Sequence, residues 1–177
     1  MQLSNKIKQT IRDVRDYPQP GIVFKDITPI LSDPQLMNEM IAQLKTDLKG
    51  LQLDAIAAVE ARGFIFGAIL AHALNVRFIP IRKAGKLPYK TIRQEYSLEY
   101  GTATIEMHED ALQPGWRVLV HDDVLATGGT AGAAANLVRH AGAELVGFSF
   151  IINLSFLPGE LNLLHQFGVN PQYLVTY

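Results

Sequence analysis

"VLVHDDVLATGGTAGAA", Val118–Ala134, runs an apolar segment straight into two acids, then a glycine pair, then an alanine-rich segment. A short apolar run bounded by turn residues reads as a buried strand, and small residues after a glycine turn read as a helix packed close behind it. The same rhythm recurs on both sides. "AIAAVE" (55–60) leads into the helical "ARGFIFGAILAHALN" (61–75), and "VRFIPIRK" (76–83) is a second strand before "WRVLVHDD" (116–123). A helix from about Thr130 to His140 leads to "LVGFSFIINL" (145–154), and "YLVTY" (173–177) closes the chain. Apolar strands alternating with helices predict an α/β fold, an open, mostly parallel sheet flanked by helices.

Upstream of this unit, apolar residues at 3, 7, 11 and 14 place Leu3 to Val14 on one helical stripe. "YPQPGIVFKDITPILSDP" (17–34) carries four prolines and suits an ordered loop or small hairpin. From Gln35 to Leu48 the period is helical again, with Ser32 or Asp33 before Pro34 as the start signal. Residues 84 to 95 show no amphipathic period, so the connection between the second and third strands reads as a functional or mobile loop over 84–100. "TATIEMHE" (102–109) then alternates like a half-exposed strand.

The chain has 177 residues, 48% of them hydrophobic, which fits a single domain, 1–177, with one substantial core. Sixteen Lys and Arg against seventeen Asp and Glu leave a net charge of −1, so no overall basic field holds the chain on nucleic acid or an anionic membrane. The absence of cysteine excludes disulfides and thiolate metal sites. The five histidines lack metal-ligand spacing, and no metal site built from protein side chains is expected. The opening residues lack the apolar core of a signal peptide, and a cytoplasmic soluble protein is the expectation.

In open α/β sheets, ligands bind outside the carboxyl ends of the strands. Three such ends carry chemistry: Glu60 to Gly63; Arg82 and Lys83; and Asp122 through Thr130. Glycine lets the backbone of Ala126, Thr127, Gly128, Gly129 and Thr130 approach an anion closely, with amides and two hydroxyls directed at it. Gly85-Lys86 is followed by Leu87, so there is no Walker A loop, and no G-x-G-x-x-G occurs. Paired acids would repel a triphosphate, yet Asp122 and Asp123 can accept hydrogen bonds from the two hydroxyls of a ribose whose 5′-phosphate sits in the turn. Alone, each feature also fits an ordinary turn or solvated strand end; together they favour a ligand.

Strand, two acids, A-T-G-G-T and helix resemble the phosphoribosyl pyrophosphate signature of the type I phosphoribosyltransferases. "YPQPGIVFKDITPIL", "EARGFIFG", "RKAGKLP" and "YSLEYG" stand in the order and spacing of that family's adenine-using branch. The resemblance covers roughly residues 15 to 155. It implies transfer of a 5-phosphoribosyl group from phosphoribosyl pyrophosphate to adenine, giving AMP and pyrophosphate, with Mg2+ carried mainly by the donor, in a homodimer. By resemblance, residues 126–130 hold the 5′-phosphate and Asp122 and Asp123 the ribose, while Arg62, Arg82, Lys83 and Lys86 meet pyrophosphate, partly across a dimer interface. Val23, Phe24 and Lys25 belong to a hood over adenine within 1–34, Lys25 through its backbone. Glu99 and Arg62 are the catalytic candidates, Glu99 as the acid near the base. His121, Tyr89 and Lys90 depart from the family pattern, His121 standing where an aliphatic residue is expected. A non-catalytic sensor of the same ligand that binds nucleic acid is the alternative, and the near-neutral charge weighs against it.

Overall fold

The computed structural model describes residues 2–97 and 101–177. In chain order the elements are α1 (Leu3–Thr10), β1 (Arg12–Arg15), β2 (Val23–Asp26), a 3₁₀ turn (Thr28–Ser32), α2 (Pro34–Asp47), β3 (Ala55–Val59), α3 (Arg62–Leu74) and β4 (Arg77–Lys83). They continue with β5 (Thr91–Ser97), β6 (Thr102–His108), β7 (Arg117–Leu125), α4 (Gly129–His140), β8 (Glu144–Asn153), α5 (Gly159–Phe167) and β9 (Gln172–Thr176). The main sheet has seven strands in the order β5-β6-β4-β3-β7-β8-β9. β4, β3, β7, β8 and β9 run parallel, and β6 and β5 extend one edge antiparallel.

The parallel strands are mostly apolar in their central stretches because both faces are covered. One face packs Val118, Val120, Phe148 and Phe150 under the alanines and Leu137 of α4 and under Leu163 and Phe167 of α5. The other packs Ile56, Leu119 and Ile151 under Ile7 of α1, Met40 and Leu44 of α2, and Phe66 and Leu70 of α3. Each fully buried large apolar side chain contributes roughly 1.5–3 kcal/mol. Among the described residues, no helix is long and apolar enough to cross a membrane.

Three sequence expectations need correction. The first helix ends at Thr10 rather than Val14, because Val14 pairs with Phe24 in the two-stranded β1-β2 sheet. Residues 91–97 are not an irregular loop: they form β5, paired along its whole length with β6. Finally, β6 is not half-exposed in alternation, since Ile105, Glu106 and Met107 are buried in succession. The start of α2 is as expected, with the Asp33 side chain accepting a 2.9 Å hydrogen bond from the Leu36 amide.

His121 is wholly buried in β7, and among the described residues neither ring nitrogen has a hydrogen-bond partner. Its ring lies close enough to α3 that a Cβ at Gly67 would sit 3.4 Å from its Cδ2. Burial pushes the imidazole from its ordinary 6.5 down to about 4. A basic group depressed on folding costs nothing above its unfolded value; the penalty grows as pH falls from 6.5 and is complete below about 4. Relative to His121→Leu, the parent is expected to lose on the order of 3 kcal/mol of stability across that window. Urea unfolding at neutral pH and at about pH 4 measures the difference, and equal acid sensitivity of the two proteins would refute the assignment.

Candidate active site

The chain leaves β3 for β4 on one side and returns through β5 and β6 to β7 on the other. Strand order therefore reverses between β3 and β7, and a crevice opens outside their carboxyl ends. A cleft of about 350 Å³ lies there, lined by Val59, Glu60, Ala61, Arg62, Lys83, Tyr96, Ile105, Asp122, Asp123 and Thr130. All three strand ends singled out from the sequence meet in it.

Asp123 is 4% exposed, and its carboxylate pairs with the Nε of Arg62 at the start of α3. The Asp122 carboxylate accepts a 2.8 Å hydrogen bond from the Asp123 amide. Burial, then the charge of Asp123, raises the Asp122 carboxyl well above the usual carboxylate range. A Cβ at Gly63 would lie 2.8 Å from Asp122 Oδ1 and 3.1 Å from its Cα, so the first turn of α3 reaches the acid pair only because residue 63 has no side chain.

The turn that follows is built as its glycines suggest. Gly128 adopts φ +83°, a conformation that L side chains rarely take, and from there α4 begins at Gly129. The N-cap, Gly128, has no side chain with which to cap the first-turn amides of this helix. A second cavity of about 70 Å³ is lined by Asp122, residues 124–131 and Phe150. Asn162 of α5 donates to the Thr127 carbonyl at 2.9 Å, and the Thr130 hydroxyl donates to the Tyr96 hydroxyl at 3.2 Å. The turn is thus braced from α5 on one side and from β5 on the other.

The cationic candidates divide. Arg62 and Lys83 line the cleft; Arg82 and Lys86 do not. Arg82 donates through Nε and Nη2 to the two oxygens of Glu60, each at 3.1 Å, and through Nη1 to the Lys86 carbonyl at 2.8 Å. The Arg82 guanidinium holds the Glu60 carboxyl below its ordinary value, against the opposing effect of burial. Of the hood candidates, Val23 is exposed, and the Phe24 ring packs edge-on to Tyr17 with the Arg62 guanidinium 4.8 Å from its centre. Arg62 therefore links Phe24 of β2 to Asp123 of β7. The Lys25 ammonium turns away, paired with Asp13 at 2.7 Å and 3.9 Å from the centre of the Tyr177 ring. Glu99 lies outside the described residues.

Sequence reasoning missed Tyr96, Ile105, Asn162 and the roles of Glu60 and Gly63. Tyr96 and Glu60 stand inside quoted segments, so a signal for them existed; Asn162 sits in a helix that carried no sequence signature of its own.

An acid pair and a glycine turn at the switch point of an α/β sheet define a class, the phosphoribosyltransferase domain, and the family model of that description matches residues 26–154. The adenine phosphoribosyltransferase of Cytophaga hutchinsonii is 52% identical over 175 residues, covering 99% of this chain and 96% of its own. Crystal structures of the adenine phosphoribosyltransferases of Thermoanaerobacter pseudethanolicus and Rhodothermus marinus superpose with TM-scores of 0.95 and 0.93 at 46% and 48% identity. Each match covers 99% of this chain, with 100% and 98% of the respective crystal chains. The chain belongs to the phosphoribosyltransferase family and, within it, to the adenine phosphoribosyltransferases.

Proposed function

We propose that this chain transfers the 5-phosphoribosyl group of phosphoribosyl pyrophosphate to adenine, giving AMP and pyrophosphate, as a step of purine salvage. What carries the reading is the convergence of Asp122, Asp123 and Thr130 with Arg62 and Lys83 on one cleft, in a chain 52% identical along nearly its whole length to an adenine phosphoribosyltransferase. The Ala126–Thr130 turn takes the 5′-phosphate on its amides and hydroxyls. Asp122 and Asp123 take the ribose diol. Arg62 and Lys83 face pyrophosphate, with Arg82 and Lys86 on the same basic turn. Phe24 and Val23 cover the base, and the backbone of Lys25 reads its edge.

In the reaction the bond from the anomeric carbon to pyrophosphate oxygen breaks, the bond to the adenine ring nitrogen forms, and that nitrogen gives up its proton. Glu99 is the proposed acceptor of the proton. Positive charge develops on the sugar as pyrophosphate departs, and the acid pair stabilises it while the cations stabilise the leaving group. Both Glu60 oxygens are taken by Arg82, one Asp123 oxygen by Arg62 and one Asp122 oxygen by a backbone amide, which leaves the second oxygen of each aspartate to the ribose. That donor set fits a Mg2+ held mainly by the oxygens of phosphoribosyl pyrophosphate beside Asp122 and Asp123. The ion, when bound, neutralises pyrophosphate as a leaving group. The working unit is a homodimer, with part of the basic turn serving across the subunit boundary.

Incubation of the purified protein with adenine, phosphoribosyl pyrophosphate and Mg2+ tests the reading. Release of AMP and pyrophosphate is expected. Turnover of guanine, hypoxanthine, xanthine or orotate in place of adenine would move the chain to a sister activity.

A further inference from the structure

Glu106 is a fully buried carboxylate, and nothing in the reaction above uses it. It sits on β6 directly opposite Arg82 of β4 and Arg93 of β5. Its Oε1 accepts the backbone amides of Lys86 and Leu87, each at 3.0 Å. Its Oε2 accepts the Thr91 hydroxyl at 3.2 Å and the Arg93 Nε at 3.1 Å. Four donors from the 86–93 segment thus converge on one carboxylate. From the other side, Arg82 donates to the Lys86 carbonyl, and Glu60 accepts the Lys83 amide at 3.1 Å. The turn that carries Lys83 and Lys86 is held at both ends by anions, Glu60 in the cleft lining and Glu106 outside it.

This arrangement is expensive for a purely structural purpose. An acid buried in a sheet is unfavourable unless its oxygens are satisfied. Burial raises the Glu106 carboxyl, but the amides of Leu87, Gly85 and Lys86 and the Thr91 hydroxyl outweigh it, leaving the group below its ordinary value and ionised. Amides of a glycine-bearing turn are otherwise free to face water. Tying them to a fixed charge removes that freedom and sets the direction in which the lysines project.

We propose that Glu106 is a positioning residue for pyrophosphate: its carboxylate fixes the Gly85-Lys86-Leu87 turn, and through it the Lys83 and Lys86 ammonium groups, in the geometry that receives the leaving group. The proposal rests on the reading of Lys83 and Lys86 as pyrophosphate ligands. Arg93 serves as a second tie, joining the antiparallel edge of the sheet to the same carboxylate. Its side chain is largely exposed and adds little by itself.

The test compares Glu106→Ala, Glu106→Gln and the Lys83→Ala/Lys86→Ala double variant, each as the full chain, by steady-state kinetics and by amide hydrogen exchange. In Glu106→Ala the KM for phosphoribosyl pyrophosphate is expected to rise on the order of 10- to 100-fold, the KM for adenine to stay near that of the parent, and the Lys86 and Leu87 amides to exchange faster. Glutamine retains one oxygen that accepts both amides, so Glu106→Gln should restore protection and most of the affinity. If the double-lysine variant raises that KM while Glu106→Ala changes neither KM nor exchange, the positioning role is overturned and the pyrophosphate reading stands. If the double-lysine variant leaves the KM unchanged, the pyrophosphate reading fails and the proposal falls with it. Equal rises in both KM values, with a lowered melting temperature and no rescue by glutamine, would also overturn it, because that pattern belongs to general loss of packing.

Discussion

Asp123→Asn is expected to lower kcat/KM for phosphoribosyl pyrophosphate by roughly 30- to 1,000-fold, while the folded protein loses only about 1 kcal/mol. The carboxylate is nearly inaccessible and held against Arg62, whose own side chain is 42% exposed. On losing its partner, the arginine can turn to water, so the cost to folding is small. The cost to function is larger for three reasons. A neutral amide is a weaker acceptor for the ribose hydroxyls, it presents an NH2 group where the guanidinium donates, and it removes an anion beside a sugar that becomes cationic. Losses of roughly 2–4 kcal/mol correspond to factors of about 30 to 1,000. Steady-state kinetics and thermal unfolding decide the point; parental kinetics with a collapsed melting temperature would make Asp123 a structural acid.

Gly159→Ala is the second substitution with a large expected effect, although residue 159 lies outside the cleft. A Cβ there would overlap the Ala126 carbonyl oxygen and approach Leu125 Cδ1 to 2.8 Å. The contact is mutual, since a Cβ at Gly128 would meet the Gly159 carbonyl at 3.1 Å. The first turn of α5 and the Ala126–Thr130 turn therefore touch backbone to backbone, and neither can yield by rotating a side chain. An added methyl must push the two segments apart, costing about 1–3 kcal/mol of stability and displacing the turn. A displacement of even 1 Å in a positioning segment costs on the order of 100-fold in rate. The melting temperature is expected to fall by roughly 2–12 °C, with kcat/KM for phosphoribosyl pyrophosphate falling far more than that for adenine. A variant that unfolds earlier but binds phosphoribosyl pyrophosphate as the parent does would show that α5 supports the core and not the turn.

The same two residues mark what the sequence made legible. Asp123 lies in the last third of β7, whose first half, "RVLV", is buried and apolar on both faces from Val118 on and reads as a strand, and the acids and glycines after that run fell towards the strand's carboxyl end. β3, β4 and β8 were legible for the same reason. Gly159 was not, because α5 is nine residues long and starts at a Pro-Gly pair that reads equally well as a loop. β5 was hidden by composition. Its inward positions Ile92, Gln94 and Tyr96 include only one plain apolar residue, and an edge strand half-open to water needs no more. Val14 continued the helical stripe in spacing alone, and pairing with Phe24 prevailed over it.

The site was legible as a set of strand ends and less so as a network. Spacing brought Asp122, Asp123, Arg62 and Lys83 to one edge. It did not show that Arg82 spends its guanidinium on Glu60 and the Lys86 carbonyl, or that Glu106 gathers the amides of a turn 19 and 20 residues before it. Those pairings depend on the registers of β4, β5 and β6, which a single sequence does not fix.

A crystal structure of the protein with AMP tests the central claim most directly. The expected result places the 5′-phosphate on the amides from Thr127 to Thr130, the ribose hydroxyls on Asp122 and Asp123, and the purine beneath Val23 and Phe24. Phosphate bound elsewhere, or a turn whose amides stay bonded to neighbouring protein groups at saturating AMP, would contradict it.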